Sequence, residues 1–224
     1  MILKNFAGKQ KLELQKVDPA VIMEDALETL ALELKKQGMY ENSLIVVTAD
    51  HGAAFLEHGD LGHHALLYEE NIRVPLLIKY PDGFGAGTKN ESIASLVDVG
   101  ATITEALGVP RPTTFIGKNL RNLASKKAVD DTDHVVVCTA ARFSPENFAR
   151  LNFEKFSLSV RTRDWKLISH GEKKDELYRL DTDPKELNNL REDTSLTTKQ
   201  MYRTLQELMR PYMDRLRSDQ KENA

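Results

Sequence analysis

The apolar run Ser43-Leu44-Ile45-Val46-Val47, ending in Thr48-Ala49-Asp50-His51-Gly52, constrains this chain more than any other stretch. It follows a helical pattern that starts at Asp18-Pro19, repeats Met23, Leu27, Leu30 and Leu34, and stops at Gly38. A helix, a short loop and a buried strand form an α-to-β connection of ordinary length. In open α/β sheets, ligands bind at the carboxyl edge of the strands. Here that edge carries a carboxylate, an imidazole and a glycine that lets the backbone turn. Asp beside His suits a divalent cation, the carboxylate supplying charge and neutral imidazole a nitrogen donor. Four of the six histidines, His51, His58, His63 and His64, fall between Asp50 and His64. The competing explanation is a polar loop with a hydrogen-bonded pair at the strand end.

The pattern predicts an α/β unit over residues 1–120 and a smaller unit over 121–224. Residues 1–17 read as frayed, 49–68 as a long Gly- and His-rich loop, and Val74 to Tyr80 as a second strand ended by Pro81-Asp82-Gly83. Gly83, Gly85 and Gly87 lack the spacing of a dinucleotide fingerprint and read as a flexible turn. A second helix is expected from Ser92 to Leu107, stopped by Gly108 and Pro110. The second unit shows strand-like runs at 134–139, 157–162, 165–169 and 176–180, read as a small antiparallel sheet. A final helix over 197–217 carries Met201, Leu205, Leu208, Tyr212 and Leu216, with Pro211 expected to kink or divide it and 218–224 expected to be disordered. Asp181 to Glu186 reads as a turn leading into a capped helical segment, Trp165 as core, and His134 and His170 as ordinary.

Composition narrows the classes. Hydrophobic content of 41% and charged content of 29% are those of a globular chain. A net charge of −3 argues against a nucleic-acid partner. No run reads as a signal peptide or a membrane span, and localisation is not legible. The single cysteine, Cys138, lies in the apolar run Val135-Val136-Val137 and reads as a strand thiol.

The residues from Asn42 to Gly52 are one part of an ordered set. Glu57-His58-Gly59, Gly62-His63-His64 and Leu67-Tyr68-Glu69-Glu70-Asn71-Ile72-Arg73-Val74-Pro75 follow. Then come Ser95-Leu96-Val97-Asp98-Val99, Ala106-Leu107-Gly108-Val109-Pro110, Val160 to Ile168, Glu176 to Leu180 and Asp183-Pro184-Lys185-Glu186. Together they resemble the second half of a sulfatase, in the alkaline-phosphatase-like superfamily. The resemblance implies a partial sandwich, a mixed sheet flanked by helices, followed by a small antiparallel-sheet subdomain with a carboxyl-terminal helix.

The resemblance also implies roles. Asp50 and His51 match the pair that binds the catalytic cation: calcium first, with zinc or manganese as alternatives because a histidine stands at 51. His63 and His64 occupy the leaving-group position. Gly62 favours His63, whereas counting back from Tyr68 favours His64; we take His63 first, as a general acid. His58 is either structural or chemical. Arg73 either meets a substrate anion with its forked guanidinium or pairs locally.

Two family features have no counterpart here: the early acidic metal pair and the C-x-P-S/T-R motif whose Cys or Ser becomes the formylglycine nucleophile. The resemblance therefore implies the distal portion of an enzyme that hydrolyses sulfate esters of small molecules or glycans, partnered by a separately encoded amino-terminal half. The alternatives are an inactive remnant or interaction module, or a phosphodiesterase or phosphonate hydrolase of the same superfamily. For the chain alone, negligible turnover and weak metal binding are expected, with exposed apolar surface where strands are lacking.

Overall fold

The computed structural model describes residues 19–63, 66–125, 136–141, 156–170 and 174–222. The start expected to fray, His64, His134 and the last two residues lie outside them. The first part contains α1 (Pro19–Lys36), β1 (Ile45–Thr48), β2 (Ala54–Phe55), β3 (Leu61–Gly62), α2 (Glu69–Ile72), β4 (Leu76–Lys79), α3 (Leu96–Ala106) and α4 (Leu120–Ser125). The second contains β5 (Val136–Ala141), β6 (Phe156–Arg161), β7 (Trp165–Ser169), β8 (Glu176–Arg179) and α5 (Leu196–Glu222).

Pro19 opens α1, where its missing N–H costs nothing, and Gly38 closes it at φ 68, donating to the Lys35 carbonyl at 3.0 Å. The apolar stripe of this helix is largely open to solvent, with Met23 36% and Leu30 44% exposed. β1 pairs antiparallel with β4, Ile45 opposite Lys79 and Thr48 opposite Leu76. Of the expected mixed sheet, the described residues contain this antiparallel pair and no parallel neighbour. β4 begins at Leu76 rather than Val74, because Pro75 has no N–H for a ladder. The segment expected to be all loop folds back on itself as the hairpin β2–β3, with Ala54 opposite Gly62.

α3 starts at Leu96, four residues later than its pattern predicts. The buried Asp98 carboxylate sets this start by accepting the Ser95 N–H at 2.8 Å and the Lys118 N–H at 2.7 Å. Gly117 passes so close that a methyl there would lie 2.0 Å from the Val97 carbonyl oxygen. α4 falls in a stretch too polar to read as a helix; its first N–H is held by the Thr102 hydroxyl at 2.9 Å.

The second part is a four-stranded antiparallel meander in the order β5-β6-β7-β8. Leu158, Val160, Trp165, Leu167 and Leu177 project to one face and pack with Leu205 and Met209 of α5. On the other face Ile168, Tyr178 and Leu180 cluster with Leu67, backed by Tyr68 and Ile72. The sheet is therefore buried on both sides, and its second cover is the segment that follows the Asp50-His51 loop. α5 is not divided at Pro211 and runs on through 218–222, which corrects the reading of that tail as disordered. Pro211 and Glu207, whose carbonyl the proline leaves without its helical partner, both face solvent, so water replaces the lost bond. No helix follows directly on Asp183 either. Its carboxylate instead accepts the Leu187 and Asn188 N–H groups at 3.1 and 2.8 Å, closing a turn.

Candidate metal and leaving-group site

β1 delivers Asp50 and His51 just beyond its end. Asp50 Oδ1 accepts the His51 backbone N–H at 2.9 Å, and His51 Nδ1 lies 2.8 Å from the Gly52 carbonyl oxygen. An Nδ1–H donor leaves Nε2 free to accept, the tautomer a metal-binding imidazole needs. Nε2 sits 3.6 Å from Asp50 Oδ2, a spacing compatible with both donating to one cation at about 2.0–2.6 Å. The Asp50 side chain is 87% exposed. His63, carried back by the β2–β3 hairpin, stacks on His51 with ring centroids 4.8 Å apart. Asp50, His51 and His63 thus converge. Among the described residues no set of three or more carboxylate, imidazole or thiol groups forms a cation site. Two donors fit part of a divalent-cation shell, which takes four ligands or more.

The loop is held from behind by α2. Gly52 donates to the Asn71 carbonyl at 2.8 Å, and a methyl on Gly52 would lie 2.1 Å from the Glu70 carbonyl oxygen. Glycine is required here by close approach. Asn71 is itself buried, and neither polar atom of its amide has a hydrogen-bond partner among the described residues.

Beneath α2 lies a group of charges that sequence reasoning missed. Glu69 Oε1 accepts from Lys166 Nζ at 3.2 Å and Arg161 Nε at 3.0 Å, while the Glu69 backbone N–H donates to Glu186 Oε2 at 2.6 Å. Glu186 reaches inward from a left-handed backbone, φ 54, and its Oε1 lies 2.7 Å from Lys166 Nζ. His58 is structural: Nδ1 is 2.6 Å from Glu70 Oε1, Nε2 is 3.0 Å from the Glu186 carbonyl, and the ring stacks on Tyr68. Burial opposes a charge on His58, but the Glu186 carbonyl and the Glu70 carboxylate outweigh it and raise its pKa. The one signal available in the sequence was a lysine in the middle of the apolar strand Trp165-Lys166-Leu167-Ile168.

Arg73 is placed elsewhere. It lines a cleft of about 280 Å³ with Arg161, Arg163, Glu69, Asp164 and Asp181, and none of Asp50, His51 or His63 lines it. His170, read as ordinary, joins Ser157 at 2.9 Å to Glu176 at 3.0 Å, because the meander brings three strands together around its ring. Tyr68 and Tyr178 also donate to Glu176, at 2.8 and 2.7 Å. Burial pushes that carboxyl up, but the His170, Tyr178 and Tyr68 bonds together hold it down at about 2. Burial pushes the Cys138 thiol up, in keeping with an inert strand cysteine.

Residues 57–214 match the family described as N-sulphoglucosamine sulphohydrolase, C-terminal. The N-acetylglucosamine-6-O-sulfatase of Bacteroides thetaiotaomicron is 30% identical over 185 residues, 81% of this chain and 32% of that protein. Human arylsulfatase K is 28% identical over 167 residues, 73% of this chain and 30% of that protein. A protein solved with its substrate D-glucosamine-2-N,6-O-disulfate superposes at a TM-score of 0.68 with 27% identity, covering 87% of this chain and 40% of its own. The phosphonate monoester hydrolase of Agrobacterium radiobacter shares the fold at a TM-score of 0.65 and 21% identity, over 90% of this chain and 39% of its own. The chain spans about a third of the length of the curated relatives it matches. Since the family match covers well over half of its residues, the chain belongs to the sulfatases, corresponding to their carboxyl-terminal region.

Proposed function

We propose that this chain is the distal portion of a sulfatase that hydrolyses sulfate esters with a divalent cation, calcium before zinc or manganese. The observation that carries the reading is the convergence of Asp50, His51 and His63 beyond β1. Asp50 Oδ2 and His51 Nε2 would hold one side of the cation, which would supply Lewis acidity towards the sulfate oxygens. His63, with His64 as the alternative, protonates the leaving oxygen. Arg73 serves the substrate's anionic groups from the cleft it shares with Arg161 and Arg163. The boundary near residue 120 separates the unit carrying the metal loop from the small sheet.

The substrate class we infer is a sulfated amino sugar. This rests on the 30% identity to the N-acetylglucosamine-6-O-sulfatase and the likeness to the protein bound to a disulfated glucosamine. The remaining cation ligands and the nucleophile come from an amino-terminal sulfatase portion, encoded upstream or separately. The exposed stripe of α1 and, among the described residues, the two-stranded β1–β4 ladder support such a partner. A phosphodiesterase or phosphonate hydrolase has the fold in its favour, through the Agrobacterium enzyme.

The test combines this chain with a sulfatase amino-terminal portion carrying the formylglycine motif and assays release of sulfate from glucosamine 6-sulfate. Calcium-dependent turnover lost in Asp50→Ala supports the reading. Turnover that survives Asp50→Ala overturns the metal assignment, and absence of turnover in a folded, calcium-loaded complex favours an inactive remnant or interaction module.

A further inference from the structure

We infer that Lys166 and Glu186 are positioning residues for the Asp50-His51 loop, acting through α2 from 116 and 136 residues away in sequence. The inference rests on the reading that this loop holds the cation. Strand alternation sends Trp165 and Leu167 towards α5, and Lys166 and Ile168 to the opposite face, beneath α2. There the Lys166 ammonium lies between two carboxylates, Glu69 at 3.2 Å and Glu186 at 2.7 Å. Glu69 is held twice more, by Arg161 on its side chain and by Glu186 on its backbone N–H. As the first residue of α2, it fixes that short helix against the sheet.

From α2 the constraint passes to the loop over the shortest available path. The Asn71 carbonyl accepts the Gly52 N–H, and the Glu70 carbonyl lies against Gly52 closely enough to exclude a side chain. His58 adds a second tie between Glu70 and the Glu186 carbonyl. An ion pair this deep contributes little stability beyond what packed apolar residues supply in its place. What charges at this seam supply is a single docking geometry: Glu69 and Glu186 satisfy Lys166 in one arrangement only, whereas an apolar seam slides.

The test is backbone-amide hydrogen exchange on the chain itself, without metal, comparing Gly52 with Leu205 on the α5 side of the sheet. Lys166→Met is expected to speed Gly52 exchange about tenfold relative to Leu205. Lys166→Met/Glu186→Gln, which also removes the stranded carboxylate charge, is expected to leave Gly52 fast. Unchanged Gly52 exchange, acceleration of Gly52 and Leu205 together, or recovery of native protection in the double variant each overturns the inference. Should Lys166→Met leave no folded protein, Glu69→Gln gives the same readout with the volume preserved. Manganese broadening of the His51 resonances tests the cation reading separately, so the two fail independently.

Discussion

Lys166 Nζ lies 2.7 Å from Glu186 Oε1, and neither side chain exposes any surface to water. The two come from an interior strand and from a turn between β8 and α5. Glu186 gets inside because the Asp183 carboxylate caps the turn and the backbone at Glu186 adopts φ 54. Burial pushes the Glu186 carboxyl up, and the Lys166 ammonium opposes that push. Removing one partner strands a charge in a site with no water to receive it.

Lys166→Met should therefore cost about 3–5 kcal/mol of unfolding free energy. Lys166→Met/Glu186→Leu should cost clearly less, because both charges leave together. Urea titrations of the chain and both variants check this. A double variant no more stable than Lys166→Met contradicts the view that the stranded carboxylate dominates the loss.

Gly52→Ala should destabilise by about 1–3 kcal/mol, since its methyl meets backbone and not a side chain that can swing away. Gly59→Ala provides the contrast. Its methyl meets open space, and the cost there is only the left-handed φ of 75. Thermal melts read both costs; Gly52→Ala should also loosen the Asp50-His51 loop, read as faster amide exchange at position 52, whose N–H donates to the Asn71 carbonyl, whereas Gly59→Ala should leave the exchange of Gly52 unchanged.

How much of this was legible in the sequence depended on whether a residue's role was local. The strand over 165–169 was read to the residue, because four consecutive buried positions leave an unbroken apolar signature around Lys166. That Asp50, His51 and His63 come together was legible because they sit close in sequence around one loop. Glu186 was not: Asp181 to Glu186 reads as a turn leading into a capped helical segment, and only its backbone angle turns Glu186 inward. His170 was passed over because Ser157 and Glu176 approach it through strand pairing rather than through sequence. Of the two outcomes expected at Pro211, division of the helix does not occur, because an exposed helix face tolerates the missing bond. Arg73 was read as either meeting a substrate anion or pairing locally, and the sequence held no sign of the cleft it lines with Arg161 and Arg163, because those two come from the second part of the chain.

Two half-buried titrating groups should give the stability curve opposite limbs. Glu176 is held at about 2 against an ordinary 4.5, so its contribution is complete above pH 4.5 and lost as pH falls towards 2. His58 is raised above 6.5, so its contribution is complete below pH 6.5 and lost as pH climbs through the folded value. The urea midpoint should therefore fall on both sides of a mildly acidic maximum. Glu176→Gln should flatten the acidic limb and leave the alkaline one in place. His58→Asn should do the reverse, since a neutral side chain has no proton to lose there. The alkaline limb should also appear in the exchange of Gly52, because His58 ties Glu70 of α2 to the Glu186 carbonyl. An alkaline limb of equal slope in His58→Asn and the native chain would place that titration at another group, and would leave His58 a neutral spacer in the seam.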